Sequence, residues 1–153
     1  MVKRIKDIRR LQEIVNYGRK WHEKSIYNTI GFDENVSRET IRAGICYPTQ
    51  ALWVSETDGV IQGFLLGGLC SFPFSKKNYA TDILFCADAE GAKLFSAFQS
   101  WAIDQKAILL QMGVTSGIGD PEAIGKFYKI NGFSHVGGIY FKELTHERDS
   151  KSS

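Results

Sequence analysis

The sequence predicts one α+β domain, and three observations support that fold class. The chain has 153 residues, of which 43% are hydrophobic and 24% charged, as expected for a globular domain with its own core. Its apolar residues recur at helical spacing in some segments and in strand-like runs in others. The segments follow the order helix, helix, three strands, helix, strand, helix and strand pair, which is the order of few folds.

Two helices are predicted before the first run of strands. Apolar residues at intervals of three to four predict a helix over about 4–24. A shorter helix is predicted over 36–43, where Asp33 or Asn35 offers a side-chain oxygen as N-cap. The first helix has an apolar stripe along one face.

Three consecutive strands are predicted in the middle of the chain. Residues 51–57 and 60–69 are strand-like and flank Asp58 and Gly59, the pair that a tight hairpin turn with positive φ requires. After a polar loop, residues 79–86 form a third strand-like run. The three strands are expected to pair antiparallel.

The second half of the chain alternates helices and strands. A strong amphipathic helix is predicted over 91–105, followed by a short buried strand within 107–114. Asp120 is placed as the N-cap of a helix over 121–130. Residues 133–144 contain two strand-like stretches, so a final strand pair is expected.

The charge of the chain indicates no nucleic-acid partner. The formal net charge is +2, too small for the basic footprint of a typical nucleic-acid-binding domain. Five basic residues do cluster near the start, and they are interpreted as a solvated helix face. A role of that helix in contacting nucleic acid is the less favoured alternative. The five are Lys3, Arg4, Lys6, Arg9 and Arg10.

Cysteines and apolar runs define the expected compartment. The three cysteines show no paired spacing, so neither a disulfide framework nor a zinc site is expected. No window approaches the roughly 18 apolar residues of a membrane span, and no secretory signal is apparent. A cytoplasmic protein without a membrane partner is expected, with one domain over 1–145 and a flexible polar tail over 146–153.

The junction between the third strand and the following helix can hold a phosphate group. The strand-like run leads through a short loop into a helix that opens with Gly91 and Ala92. The first N–H groups of a helix have no intrahelical partners and point together at whatever lies in front of them. Two small residues at that position allow a ligand to approach the backbone closely.

This junction resembles the GCN5-related N-acetyltransferases, whose fourth strand runs into a pyrophosphate loop and a helix. A second match is the segment Lys-Phe-Tyr-Lys-Ile-Asn-Gly-Phe at 126–133, similar to the Tyr-bearing helix end of that family. The resemblance covers about 45–144. It implies a three-layer fold, with a mixed, mostly antiparallel sheet of about six to seven strands and four flanking helices.

The resemblance also implies acetyl-CoA as co-substrate and assigns the residues that bind it. The family's loop reads Arg/Gln-x-x-Gly-x-Gly/Ala, and here Glu90, Lys93 and Phe95 stand at its three defined positions. Glu90 therefore adds a like charge near the phosphates, while Lys93 can restore a positive one. The predicted cofactor-binding residues are Phe85 and Ala87, through their backbone on the strand, and Gly91, Ala92, Lys93, Leu94 and Phe95.

Two catalytic residues follow from the same resemblance. Tyr128 would protonate or hydrogen-bond the leaving CoA thiolate, the alternative being a half-buried tyrosine at a helix end. Asp82, the carboxylate within the fourth strand, would accept a proton from the attacking amine. Its alternatives are a solvated edge residue or a base reached through ordered water.

The resulting hypothesis is an N-acetyltransferase that moves an acetyl group directly to an amine on a small molecule or a protein. The alternative is a catalytically inactive binding module with the same fold, because the loop around Glu90 departs from the family pattern. A homodimer is the other partner considered, and no metal is expected.

Overall fold

A five-stranded sheet is the centre of the computed structural model, which describes residues 1–144. The strands lie in chain order, β1-β2-β3-β4-β5. The first three neighbouring pairs are antiparallel, while β4 and β5 are parallel. The strands are β1 (Val2–Ile5), β2 (Gln50–Thr57), β3 (Val60–Ser71), β4 (Asn78–Ala87) and β5 (Leu110–Gln111).

The α-helices of the described residues are α1 (Leu11–Lys24), α2 (Glu34–Cys46), α3 (Gly91–Asp104) and α4 (Pro121–Ile130). The chain divides into two compact units. The first, Met1–Ile118, contains the sheet with α1, α2 and α3, and the second begins at Gly119 and contains α4.

The first unit has a core on each face of the sheet. Leu52 and Val54 of β2 pack on one face with residues of α1 and α2. Ala51 and Trp53 alternate with them and pack on the other face with α3, as the period of two along a strand requires. At Gly67 on β3 an added Cβ would lie 2.3 Å from the Phe98 ring. This glycine therefore lets α3 approach the sheet closely.

Several local predictions are confirmed. Asp58 and Gly59 have φ of 50° and 79° and join β2 to β3. The side chain of Asp33 caps α2 by accepting the Val36 N–H at 3.0 Å. Asp120 likewise caps α4 by accepting the Glu122 N–H at 3.0 Å. In each case a short side chain supplies the acceptor that the first turn of the helix lacks.

The predicted helix over 4–24 is wrong at its start. Val2–Ile5 forms β1, Ile8–Arg10 forms a 3-10 turn, and α1 begins only at Leu11. The pairing of β1 along the edge of β2, with Val2 opposite Ser55, overrides the helical spacing. Asp7 then accepts the Arg9 N–H at 3.0 Å and starts the turn.

The basic residues near the start consequently do not form a solvated helix face. Glu56, whose side chain is 8% exposed, forms ion pairs with Lys3 and Arg10. Arg9 pairs with Asp7, and the Arg4 guanidinium lies 5.2 Å from the Trp53 ring. Of these contacts, those of Lys3 and Arg4 join β1 to β2.

The sheet of the described residues has five strands rather than the six to seven predicted. The strand predicted within 107–114 is reduced to Leu110–Gln111, and residues 133–144 form no regular strand. A strand needs a neighbour to satisfy its backbone, and 133–144 has no ladder partner within the described residues. The tail predicted over 146–153 lies outside the described residues.

Within residues 1–144, no helix has the length and apolar character needed to cross a bilayer. The same residues contain no group of three or more His, Cys, Asp or Glu side chains arranged to hold a metal ion.

Candidate functional site

A bulge in β4 changes which backbone groups face its free edge. Leu66 of β3 lies opposite Leu84, but the next residue, Gly67, lies opposite Asp82. Ile83 is thus the extra residue of a β-bulge, and the orientation of the strand reverses across it. Bulges of this kind occur frequently beside functional sites because they redirect the groups that follow.

The hydrogen bonds on either side of the bulge show the reversal. Before it, the Ala80 N–H donates toward β5, to the Leu109 carbonyl at 2.9 Å. After it, the Asp88 N–H donates toward β3, to the Gln62 carbonyl at 2.8 Å. Because successive residues of a strand alternate, the backbone groups of Phe85 and Ala87 face away from β3. They are the two strand residues predicted to contact the cofactor.

The edge that these groups face is open along the strand. β4 pairs with β5 only at Ala80 and Thr81, and no strand of the described residues pairs with that side of β4 beyond Thr81. Phe85 packs its side chain against the α3 core. Its backbone N–H and carbonyl, rather than its ring, are therefore the groups available to a ligand.

Asp82 lies where β4 and β5 part. Its Oδ1 accepts the Gly113 N–H at 3.3 Å, across the gap that opens between the two strands. Burial raises the pKa of this carboxyl above its ordinary value, and the hydrogen bond from Gly113 opposes the shift. A partly desolvated carboxylate is a stronger base than one in water.

The N-terminus of α3 follows directly after the open edge. Glu90, the residue that precedes α3, has φ 59° and ψ 26° in the left-handed region. Its carbonyl accepts the N–H groups of Lys93 and Leu94, each at 3.0 Å. The N–H groups of Gly91 and Ala92 meet no acceptor within residues 1–144. These two donors, together with the helix dipole, form an anion-attracting end.

The Glu90 side chain lies at this same helix end and carries a negative charge. Its Oε1 is 2.6 Å from Lys93 Nζ, and its Oε2 is 2.5 Å from the amino group of Met1. Hydrogen bonding from Lys93 and then from the Met1 amino group lowers the Glu90 pKa. The residue predicted to weaken phosphate binding is thus ionised beside the free N–H groups.

Tyr17 of α1 holds the loop between β4 and α3. Its hydroxyl lies 2.8 Å from the Gln62 carbonyl and 2.5 Å from Asp88 Oδ2. The same oxygen accepts the Asp88 N–H and the Trp21 Nε1–H, each at 3.1 Å. Burial, followed by the hydrogen bond to Asp88, raises the Tyr17 pKa, so the hydroxyl keeps its proton. The sequence contains no local signal for this contact between α1 and the loop.

The other predicted residues lie in contrasting environments. Leu94 and Phe95 are 0% and 2% exposed, so their side chains belong to the core and only their backbone could meet a ligand. Tyr128 lies on α4 in the second unit, with its ring centroid 5.2 Å from that of Phe133. Burial, then the Asp88 charge, raises the Cys86 pKa to about 12, which leaves a protonated thiol without nucleophilic character.

The position of Asp82 generates a prediction about stability and pH. The folded protein holds the Asp82 proton more tightly than the unfolded chain does, so ionising Asp82 costs folding free energy. That cost is absent below the ordinary pKa of 3.8 and complete above the raised pKa of the folded state. Asp82→Asn removes the charge and keeps an oxygen for Gly113. We expect a higher Tm for the variant at pH 7.5, with the difference narrowing toward pH 4.

Differential scanning fluorimetry across this pH range measures both Tm values. Asp104→Asn, at an exposed position of α3, is the matched control and should show no such pH-dependent difference. A Tm difference between Asp82→Asn and the unsubstituted protein that stays constant with pH would contradict the role given to burial.

Tyr17→Phe tests the anchoring of the loop. Removing the hydroxyl leaves the Trp21 Nε1–H without its acceptor and the Asp88 N–H with the Gln62 carbonyl alone, which should cost about 1–2 kcal/mol of unfolding free energy. Urea denaturation measures this loss, and hydrogen exchange of the Asp88 and Ala89 amides should accelerate. The exposed Tyr27 provides the control substitution, Tyr27→Phe, and an equal loss in both variants would remove the special role of Tyr17.

Comparison with known proteins finds matches by structure but none by sequence. No family model matches the sequence, and no curated protein matches it. Many solved structures do match in fold, and the three named below are 10–14% identical to this chain. The chain therefore shares a fold with these proteins at low sequence identity.

Several of the matching structures are acetyltransferases by name, among them the following three. The aminoglycoside acetyltransferase AAC(6')-Iy, in complex with a bisubstrate analogue of CoA, matches with a TM-score of 0.71 and 10% identity over 95% of this chain and 98% of that one. An aminoglycoside acetyltransferase from an uncultured soil metagenomic sample matches with a TM-score of 0.69 and 14% identity over 95% and 96%.

The third is the ribosomal-protein-alanine N-acetyltransferase of Brucella melitensis biovar Abortus 2308, with a TM-score of 0.66 and 10% identity over 95% of this chain and 99% of that one. These neighbours confirm the α+β fold class predicted from the sequence. The chain has the fold of the GCN5-related N-acetyltransferases.

Proposed function

We propose that this protein is an acetyl-CoA-dependent N-acetyltransferase that moves an acetyl group directly to an amine. The observation that carries the proposal is the open edge of β4 at Phe85 and Ala87, followed shortly along the chain by the N–H groups of Gly91 and Ala92, which meet no acceptor within residues 1–144. Solved proteins with this fold include acetyltransferases in complex with CoA or a CoA analogue. Fold alone does not determine activity, so the proposal depends on the geometry of this site.

The residues of the first unit suit the two ends of a CoA molecule. The outward backbone groups of Phe85 and Ala87 can pair with the amides of the pantetheine arm, as an added strand would. The free N–H groups of Gly91 and Ala92 can bind the diphosphate, with Lys93 as the nearby cation. The Glu90 carboxylate opposes an anion at this helix end.

Asp82 is proposed as the base for the acceptor amine. An ammonium group must lose a proton before its nitrogen can attack the thioester carbonyl. A carboxylate with a raised pKa, located where the two strands part, can take that proton directly or through water. The amine then forms the new C–N bond as the C–S bond breaks.

Tyr128 is proposed to give a proton to the departing thiolate. Its hydroxyl suits this role at neutral pH, and the assignment comes from the resemblance of 126–133 to the family's helix end. The nitrogen loses a second proton as the amide forms, and this proton replaces the one that Tyr128 gives to the thiolate. The proton taken by Asp82 passes to solvent, so the reaction balances without a covalent enzyme intermediate.

A catalytically inactive binding module is the second candidate, and Glu90 is the observation that favours it. A fixed negative charge at the phosphate end lowers the affinity expected for any CoA ligand. Binding and turnover must therefore be measured separately.

Isothermal titration calorimetry with acetyl-CoA, followed by a thiol-release assay with a panel of amines, separates the candidates. Binding together with amine-dependent thiol release supports the acetyltransferase. Binding without release from any amine supports the module. If acetyl-CoA does not bind, the acetyltransferase fails, and so does a module that binds CoA.

Tyr128→Phe tests the proposed acid. The substitution removes one hydroxyl, so kcat should fall by about 100-fold, the lower end of the range for general acid catalysis, while the affinity for CoA changes little. Tyr140 is 97% exposed, and Tyr140→Phe is the matched control that should leave kcat unchanged. An unaltered kcat in Tyr128→Phe would exclude Tyr128 from the reaction.

A further inference from the structure

Two opposite electrostatic features meet at the start of α3. The N–H groups of Gly91 and Ala92 attract an anion, as does the positive end of the helix dipole. The Glu90 carboxylate, with 22% of its side chain exposed, is an anion that the chain itself provides there. A ligand phosphate and this carboxylate are therefore both attracted to the positive end of α3, and they repel each other there.

The cations of this turn are already engaged by Glu90. Lys93 Nζ lies 2.6 Å from Oε1 and the Met1 amino group lies 2.5 Å from Oε2. Lys93 is 71% exposed along its side chain, so it is free to swing on its flexible stem toward a ligand. A diphosphate that reaches Gly91 and Ala92 must draw Lys93 away from Glu90 to gain its charge.

The Glu90 carboxylate is not needed to start the helix. Its side chain makes no capping hydrogen bond to α3. The backbone carbonyl of Glu90 instead accepts the N–H groups of Lys93 and Leu94, and that carbonyl is present whatever the side chain. Loss of the charge should therefore leave the start of α3 intact.

We propose that Glu90 is an internal counter-anion that holds Lys93 in the free protein and releases it to the diphosphate of the donor, and so sets the affinity for CoA. This regulation rests on the proposed function, because it acts on the same phosphate end of the site. Glu90 is then a specificity-determining residue, because it lowers the affinity for a donor in proportion to the negative charge that the donor brings to the start of α3.

Glu90→Gln is the direct test, since glutamine keeps the length of the side chain and the left-handed backbone while removing the charge. Removing an opposing charge at a helix N-terminus is worth about 0.3–1 kcal/mol at exposed positions, so CoA should bind about two- to fivefold more tightly. Lys93→Gln should weaken CoA binding. Both effects should shrink in 0.5 M NaCl, where charges are screened within about 4 Å.

Pantetheine, which lacks the diphosphate, is the control ligand and should gain no affinity from Glu90→Gln. Glu39→Gln is the matched control variant, because Glu39 also pairs with a cation three residues on, Arg42, but on α2. Its CoA affinity should equal that of the unsubstituted protein. Calorimetry at low and high salt measures each affinity.

The outcomes distinguish this inference from the function on which it rests. Tighter binding of CoA by Glu90→Gln, without a gain for pantetheine, supports the counter-anion. Equal or weaker CoA binding by Glu90→Gln, or an equal gain for pantetheine, overturns it while CoA binding by the unsubstituted protein still upholds the donor site. If neither protein binds CoA, the proposed function fails and this inference fails with it.

Discussion

The parting of β4 from β5 is the physical constraint on which the candidate site depends. The two strands pair over two residues only, and the bulge at Ile83 then reverses the strand so that Phe85 and Ala87 direct their backbone groups to the open side. An exposed strand edge is a liability in a folded protein unless something covers it. In this chain the edge leads into the free N–H groups of α3, so one ligand with an amide-bearing arm and a phosphate end could satisfy both.

Two residues around this edge have conformations or charges that cost folding free energy and that core packing does not require. Asp82 is a carboxylate whose ionisation burial disfavours, and Glu90 occupies a left-handed conformation that a side chain rarely adopts. Such departures from local preference concentrate at functional sites, and the surrounding structure must hold them in place. Tyr17, with its contacts to Gln62, Asp88 and Trp21, supplies that support from α1.

Local chemistry made much of the fold predictable from the sequence. Asp58 and Gly59 specify a hairpin, Asp33 and Asp120 specify helix starts, and the spacing of Leu94, Phe98 and Trp101 specifies the buried face of α3. The failures are those of non-local pairing. β1 forms from helix-like sequence because β2 offers it an edge, and 133–144 is strand-like in sequence but has no ladder partner in the described part of the chain. The same holds for the candidate site. The strand-to-helix junction is predictable from the spacing of residues. The bulge at Ile83 and the contact of Tyr17 with the loop are not, because they form only when segments distant in sequence meet.

The most direct test of the account is an amide NMR titration of the protein with CoA. If the ligand lies along the open edge and against α3, the amide signals of Phe85, Ala87, Gly91 and Ala92 should shift the most and in proportion to occupancy. Shifts confined to other regions of the chain, or saturable binding that leaves these four amides unmoved, would contradict the claim that the parting of β4 and β5 creates the binding site.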